Sequence, residues 1–205
     1  MDSMTSCRIL LRRALAVAIL TTLPVAYSQA VPTASQALQL SAFGTGTGVF
    51  TGLYGGHDAG ITAGVDLSLF SLHGYHASAE VRGIYPFDKG HVDSQKSVMG
   101  GVKVDHRLAR SLVYVDFLAG RGEIDYQNGG FTVGSLKYIS TTTNVYSFGV
   151  GADLNVSHHF AVKADYQYQY WKTPVIPAGS VHPSVLSLGV VYRFDLNHYY
   201  KRTRQ

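Results

Sequence analysis

The sequence predicts an all-β protein, an eight-stranded antiparallel up-and-down transmembrane β-barrel, and three observations predict it. The stretch 185–194 alternates with a period of two, setting Leu186, Leu188, Val190, Tyr192 and Phe194 on one face against Ser187, Gly189, Val191 and Arg193. Such a period is a strand with two unlike faces. Seven earlier stretches repeat the pattern, joined by connections that alternate between long and short. Charged residues make up 15% of the chain, against 46% hydrophobic. A soluble domain carries about 25% charged residues, so this chain lacks the polar coat needed to face water all round.

The N-terminus places the chain in an export pathway. Arg8, Arg12 and Arg13 precede an apolar run from Ala14 through Ala26, and Ser28-Gln29-Ala30 supplies small residues for cleavage. This is the pattern of a secretory signal peptide, residues 1–30, rather than an anchor helix, which Pro24 and the short run disfavour. Cys7, the single cysteine, leaves with it, so the mature chain is expected to form no disulfide and to do no thiol chemistry. Removing three Arg and one Asp lowers the formal charge from +4 to +2. That small excess argues against nucleic acid as a partner.

The elements follow in order. A lead of residues 31–36 precedes a first strand over 37–50, whose Gly-Thr-Gly-Thr-Gly run (44–48) suggests a tight bend or close neighbours. That run is no phosphate loop, since it lacks the Gly-Lys-Ser/Thr ending and a following helix. After a loop at 52–60, the second strand sets Ile61, Ala63, Val65, Leu67 and Leu69 against Thr62, Gly64, Asp66 and Ser68. The turn His73-Gly74-Tyr75 leads to the third, with Ala77, Ala79, Val81, Gly83, Tyr85 and Phe87 opposite Ser78, Glu80, Arg82 and Ile84. A polar loop at 88–96 precedes the fourth, with Val98, Val102 and Val104 against Met99, Gly101, Lys103 and Asp105. A short connection at 106–110 leads to the fifth, where Val113, Val115 and Phe117 oppose Tyr114, Asp116 and Leu118. The longest connection, 123–143, precedes the sixth, in which Tyr146, Phe148, Val150, Ala152 and Leu154 face away from Ser147, Gly149, Gly151, Asp153 and Asn155. Past a turn at Ser157-His158, the seventh pairs Phe160, Val162, Ala164, Tyr166, Tyr168 and Tyr170 against Lys163, Asp165, Gln167 and Gln169. The loop 172–183 leads to the last strand.

Period two does not say which face points inward. A soluble lipocalin-like ligand-binding barrel puts its apolar face inside. Here the polar face is mostly Gly, Ser, Thr, Gln and Asn, too small and neutral for a soluble exterior. The narrow interior of an eight-stranded barrel has room for such side chains and little else. The aromatics Tyr85, Phe87, Tyr146, Tyr166, Tyr168, Tyr170, Tyr192 and Phe194 fall towards strand ends, as interfacial girdles require. The predicted lumen then holds Asp66, Glu80, Asp105, Asp116, Asp153 and Asp165 with Arg82, Lys103, Lys163 and Arg193. Buried charges are costly unless paired, so an interlocking network that plugs a polar lumen is expected, with an ion path as the competing reading.

The strand order, the loop asymmetry and the ending Leu-Gly-Val-Val-Tyr-Arg-Phe over 37–194 resemble the small OmpA-like and OmpX-like bacterial outer-membrane β-barrel domains. In that resemblance Leu186, Leu188, Val190, Tyr192 and Phe194 form the aromatic-ended last strand read as the assembly signal. It implies a monomer in the outer membrane of a Gram-negative bacterium, inserted by the barrel-assembly machinery and surrounded by lipid and lipopolysaccharide. Both termini then lie on the periplasmic side, and four mobile outer loops carry any recognition. One departure is the basic tail 195–205, which continues past the aromatic end and is too short for a peptidoglycan-binding domain.

No catalytic, cofactor or metal site is expected. His76, Ser78 and Glu80 share one strand face and suggest the His/Ser/Glu set of lipid A deacylase barrels, but that face is the inward one, whereas a lipid hydrolase needs its triad at the lipid surface. The histidines fall almost wholly in connections without fixed ligand spacing, which favours solvated side chains over a metal site. The tail residues His198, Tyr199, Tyr200, Lys201, Arg202 and Arg204 read as a disordered solvated end rather than a lipid-contacting one.

Overall fold

The computed structural model describes residues 39–88 and 92–194. The predicted signal peptide 1–30, the lead 31–36 and the tail 195–205 lie outside the described residues. Eleven strands follow in sequence: β1 (Leu40–Phe50), β2 (His57–Leu72), β3 (Tyr75–Asp88), β4 (Asp93–Leu108), β5 (Ser111–Tyr126), β6 (Phe131–Val133), β7 (Leu136–Tyr138), β8 (Ser140–Asn155), β9 (Phe160–Lys172), β10 (Ser180–Val181) and β11 (Ser184–Phe194). Eight of them, β1 to β5 with β8, β9 and β11, pair antiparallel in chain order, and β11 pairs back onto β1. The sheet is therefore a closed barrel without free edges, the condition for a β-structure to cross lipid.

The register sets the shape. Paired residues lead round the wall from Leu40 through Leu67, Ala79, Val102, Phe117, Phe148, Tyr168 and Ser184 back to Phe50, at the other end of β1. That stagger of ten residues over eight strands, at about 3.3 Å per residue and about 4.8 Å between strands, tilts the strands by roughly 40°. Four of the strands have 16 residues, more than the roughly 9–11 needed to cross a bilayer.

The turns explain why the hairpins close where they do. Leu72 pairs with Tyr75 across His73-Gly74, both at positive φ (51° and 83°), a two-residue loop whose twist matches the flanking strands. Leu108 pairs with Ser111 across Ala109-Arg110, with Ala109 at φ 52°. Asn155 pairs with Ala161 across the third short turn. The opposite end carries the long connections, so the predicted asymmetry is present.

Boundaries at that end differ from the sequence reading. β2 starts at His57, inside the expected 52–60 loop, and β4 starts at Asp93, inside the expected 88–96 loop. The 123–143 connection is largely strand: β5 runs to Tyr126, β8 begins at Ser140, and β6 and β7 form a hairpin between them. β10 lies within 172–183 and pairs with the end of β9. Polar composition suggested loops there, whereas above an apolar belt a strand can carry polar residues on both faces. The Gly-Thr-Gly-Thr-Gly run causes no bend: it lies in the unbroken pairing of β1, with Thr45 and Thr47 buried and the glycines on the outer wall.

The outer wall is apolar. Val65, Val81, Val102, Phe117, Phe148, Val162, Leu188 and Val190 are all exposed. Aromatics cluster at both rims, with Tyr85, Phe87, Tyr146 and Tyr168 towards the long connections and Tyr75, Phe160, Tyr192 and Phe194 towards the short turns. A continuous exposed apolar belt between aromatic girdles is the surface that lipid, not water, solvates.

Candidate functional site

The lumen concentrates charge away from solvent, and alternation on the tilted strands aims those side chains inward. Arg82 on β3 is its hub. The guanidinium donates through Nη1 to Asp165 Oδ1 (2.8 Å), through Nε to Glu80 Oε1 (2.5 Å), and lies 3.6 Å from Asp116 Oδ2. Gln167 extends the set, donating from Nε2 to Asp116 Oδ2 (2.9 Å) and accepting from Ser147 Oγ (2.7 Å). Tyr114 Oη donates to Asp165 Oδ2 (2.7 Å). Lys103 donates to Asp66 Oδ2 (2.7 Å) and approaches Glu80.

Lys163 is held differently. Its ammonium lies 4.6 Å from the centroid of Phe43 and 4.1 Å from that of Tyr114, with Asp153 at 3.8 Å. Two ring faces thus supply much of its electrostatic compensation. Space for the large inward side chains comes from glycines facing them: a Cβ on Gly64 would strike Phe43, one on Gly151 would strike Tyr114, and one on Gly149 would strike Gln167. Large and small residues alternate across a barrel too narrow for two large ones.

Of the ten residues predicted to line the lumen, Asp66, Glu80, Arg82, Lys103, Asp105, Asp116, Asp153, Lys163 and Asp165 are buried. Arg193 is half-buried at the short-turn mouth, where it donates to Asn155 Oδ1 rather than to a carboxylate. Asp105 pairs with His76 Nδ1 (3.0 Å) near the same mouth. That mouth is a polar cavity of about 190 Å³, lined by Gln39, Asp66, His76, Lys103, Asp153 and Arg193 among others. The predicted assembly-signal face, Leu186, Leu188, Val190, Tyr192 and Phe194, is exposed on the outer wall.

The expected polar lumen is only half the interior. Towards the long connections the inside is apolar: Val49, Leu53, Ile84, Met99, Leu118, Ile124, Val145, Trp171, Val181 and Val185 form one buried cluster. Trp171 lies over Gly122, where a Cβ would collide with its ring, and donates its indole N–H to Gln169 (2.9 Å). The alternation rule hid this layer, because an inward apolar residue has the same period as a lipid-facing one. A signal was available: consecutive apolar residues such as Val49-Phe50, Ile84-Tyr85, Val98-Met99, Phe117-Leu118, Val145-Tyr146, Tyr170-Trp171 and Val185-Leu186 mark strand segments apolar on both faces.

Beside this layer lies a second polar cluster. Thr51 Oγ1 donates to Asp93 Oδ1 (2.7 Å), Gln95 Nε2 donates to Asp93 Oδ2 (2.9 Å), and the Gln95 backbone N–H donates to Asp58 Oδ2 (3.0 Å). Its origin is a break in the wall. β3 pairs with β4 only as far as Ile84–Ser97, and Pro86, which has no N–H to donate, stands just beyond at a bulge facing β2. The Asp58 carboxylate thus takes a β4 amide that β3 leaves unpaired.

His76, Ser78 and Glu80 all face the interior, and His76 is bonded to Asp105 rather than to Ser78. His158 and His159 pack edge to face, and His182 stacks on Tyr168. Among the described residues no three His, Cys, Asp or Glu side chains converge as metal ligands.

A family model described as the outer membrane protein beta-barrel domain matches residues 15–194. No curated protein matches the chain. Among solved structures, Neisserial surface protein A is 14% identical, with 77% of this chain and 97% of that one covered and a TM-score of 0.49. Ail, the attachment invasion locus protein of Yersinia pestis, is 16% identical over 77% and 97% of the two chains, with a TM-score of 0.49. The outer membrane enzyme PagL is 12% identical over 75% and 98%, with a TM-score of 0.41.

Proposed function

The chain belongs to the outer membrane protein beta-barrel domain family, and on that footing we propose that it is a monomeric, non-enzymatic barrel with a closed lumen and a structural or surface-interaction role. One observation carries this reading: the interior is filled twice over, by a paired charge network and by an apolar layer containing Trp171, Met99 and Leu118. Ions crossing the barrel would have to break the Arg82 contacts and then wet an apolar constriction, and apolar constrictions gate by dewetting. The exposed side chains of Val133 and Leu136 on the β6–β7 hairpin, with Ile139 just after it and Tyr54, favour contact with a partner at the long-connection end. Long connections face outward in this architecture, and a signal peptide over 1–30 would deliver the chain there. The barrel-assembly machinery would insert it, through the β11 face ending at Phe194, into a membrane of lipid and lipopolysaccharide.

The test is electrical. Purified protein in planar bilayers is expected to show no stable conductance steps, and large steady steps would refute the closed lumen. The competing enzyme reading predicts that Ser78→Ala changes lipid A composition in the host cell. The inward placement of Ser78, 5% exposed and away from lipid, favours unchanged composition.

A further inference from the structure

We propose that the break between β3 and β4 is a binding groove for one acyl chain of a phosphorylated, multiply acylated glycolipid, with a lipid phosphate held by Arg121. The proposal rests on the membrane-barrel reading and adds a defined ligand site to it. Where β3 and β4 part, the outer wall carries an open groove of about 480 Å³, a volume within the range of ligand sites. Ile61, Ala63, Gly83, Val98 and Tyr85 are among the residues that line it. Ala63, Gly83, Val98 and Arg121 lie in one row across β2 to β5, so two small residues form a trough flanked by larger ones.

The trough faces outward, so its occupant comes from the lipid phase. On the lumen side of the break the Thr51–Asp93 and Asp58–Gln95 hydrogen bonds hold the ends of β2 and β4 together. The charge at its rim selects the headgroup. Lys96 is already engaged with Glu123 (3.1 Å) and Asp125 (3.3 Å). Arg121 is exposed, lines the groove and makes no ion pair among the described residues. An outward arginine at the edge of an apolar belt is a phosphate ligand waiting for an anionic headgroup, and its planar fork suits phosphate oxygens. The outer leaflet, faced by long connections, is where a phosphorylated glycolipid would present both parts together.

Gly83 offers a clean block, since a Cβ there meets only the Ser97 carbonyl at 3.8 Å. Wild type, Gly83→Leu, Arg121→Glu and, as a control elsewhere on the outer wall, Leu188→Ala are purified in detergent and checked as heat-modifiable gel bands. Each is then mixed with hexa-acylated bisphosphorylated lipid A, its dephosphorylated form or phosphatidylglycerol, and lipid retention is read by native mass spectrometry. Wild type and Leu188→Ala are expected to retain one lipid A per barrel. Gly83→Leu and Arg121→Glu should each reduce retention about tenfold, the loss expected from a few unburied methylenes or one charge-assisted contact. Equal retention by wild type and either groove variant overturns the site, as does retention of phosphatidylglycerol or dephosphorylated lipid as strong as that of lipid A. A wild type that shows no heat-modifiable band would bring down the membrane barrel and the groove together, whereas intact bands with unaltered retention remove the groove alone.

Discussion

Replacing Arg82 by Met tests whether the lumen is held by interlocking charge or merely filled. The methionine keeps most of the side-chain volume and removes the cation. Asp165 at 2.8 Å and Asp116 at 3.6 Å then lose their shared partner, and Glu80 loses its contact as well. With an effective dielectric constant of about 20, unit charges at those two distances attract by about 6 and about 5 kcal/mol before desolvation is counted. Desolvation of the guanidinium offsets much of this in the wild type, but the variant leaves Asp165 and Asp116 buried without the cation that pairs with them, while Glu80 keeps only the more distant Lys103. Breaking such a cluster from one side costs about 3–5 kcal/mol. Urea unfolding in micelles, followed by circular dichroism and by gel migration, should register that loss at neutral pH. The double variant Arg82→Met/Asp165→Asn removes one orphaned charge and is expected to recover at least about 1 kcal/mol relative to additivity. If Arg82→Met unfolds within about 0.5 kcal/mol of wild type, the charge network contributes little and the barrel is held by its wall and its apolar layer alone.

Three further outcomes follow from other parts of the fold. Trp171→Ala empties the largest member of the apolar layer and is expected to cost about 3–5 kcal/mol in the same urea assay, while the Arg82 network keeps the barrel electrically silent in planar bilayers. Ala109 occupies φ 52° in a two-residue turn, so Ala109→Gly should stabilise by about 0.5–1 kcal/mol in the same urea assay, the relief of left-handed strain exceeding the added chain entropy. A cysteine at Leu136 in the β6–β7 hairpin should react with a membrane-impermeant maleimide on intact cells, while one at Ser157 in a short turn should react only after lysis.

The parts of this fold that were legible in the sequence are those where lipid leaves one solution. A strand in hydrocarbon must show an unbroken apolar outer face, so Leu186 to Phe194 and its seven counterparts could be read by counting in twos. Charges such as Arg82, Asp116 and Lys163, fixed by the same alternation, had only the interior left to occupy. Alternation reports position relative to the wall, however, and says nothing about height within the barrel. Met99 and Leu118 therefore read in the sequence as ordinary inward residues. Strand ends failed for a related reason: beyond the belt both faces of β4 are wet or polar, and Asp93 to Lys96 carry the composition of a loop while pairing with β5 as a strand.

The same limit explains why the break between β3 and β4 had no simple signature. Pro86 lies inside an apparently regular alternating stretch, and its effect depends on which neighbour its missing N–H would have served, a fact of register rather than of composition. The features around it are spread over four strands: Asp58 on β2 takes the Gln95 amide of β4, Gly83 on β3 leaves room for a side chain with only the Ser97 carbonyl in contact, and Arg121 on β5 lines the same groove. Each residue read alone has a bland explanation. Together they place a row of small and apolar residues, Ala63, Gly83 and Val98, beside an arginine that makes no ion pair among the described residues, on the wall that faces lipid. Burying an acyl chain against that row removes apolar surface from the wall, and the same chain would bring its headgroup charge to Arg121.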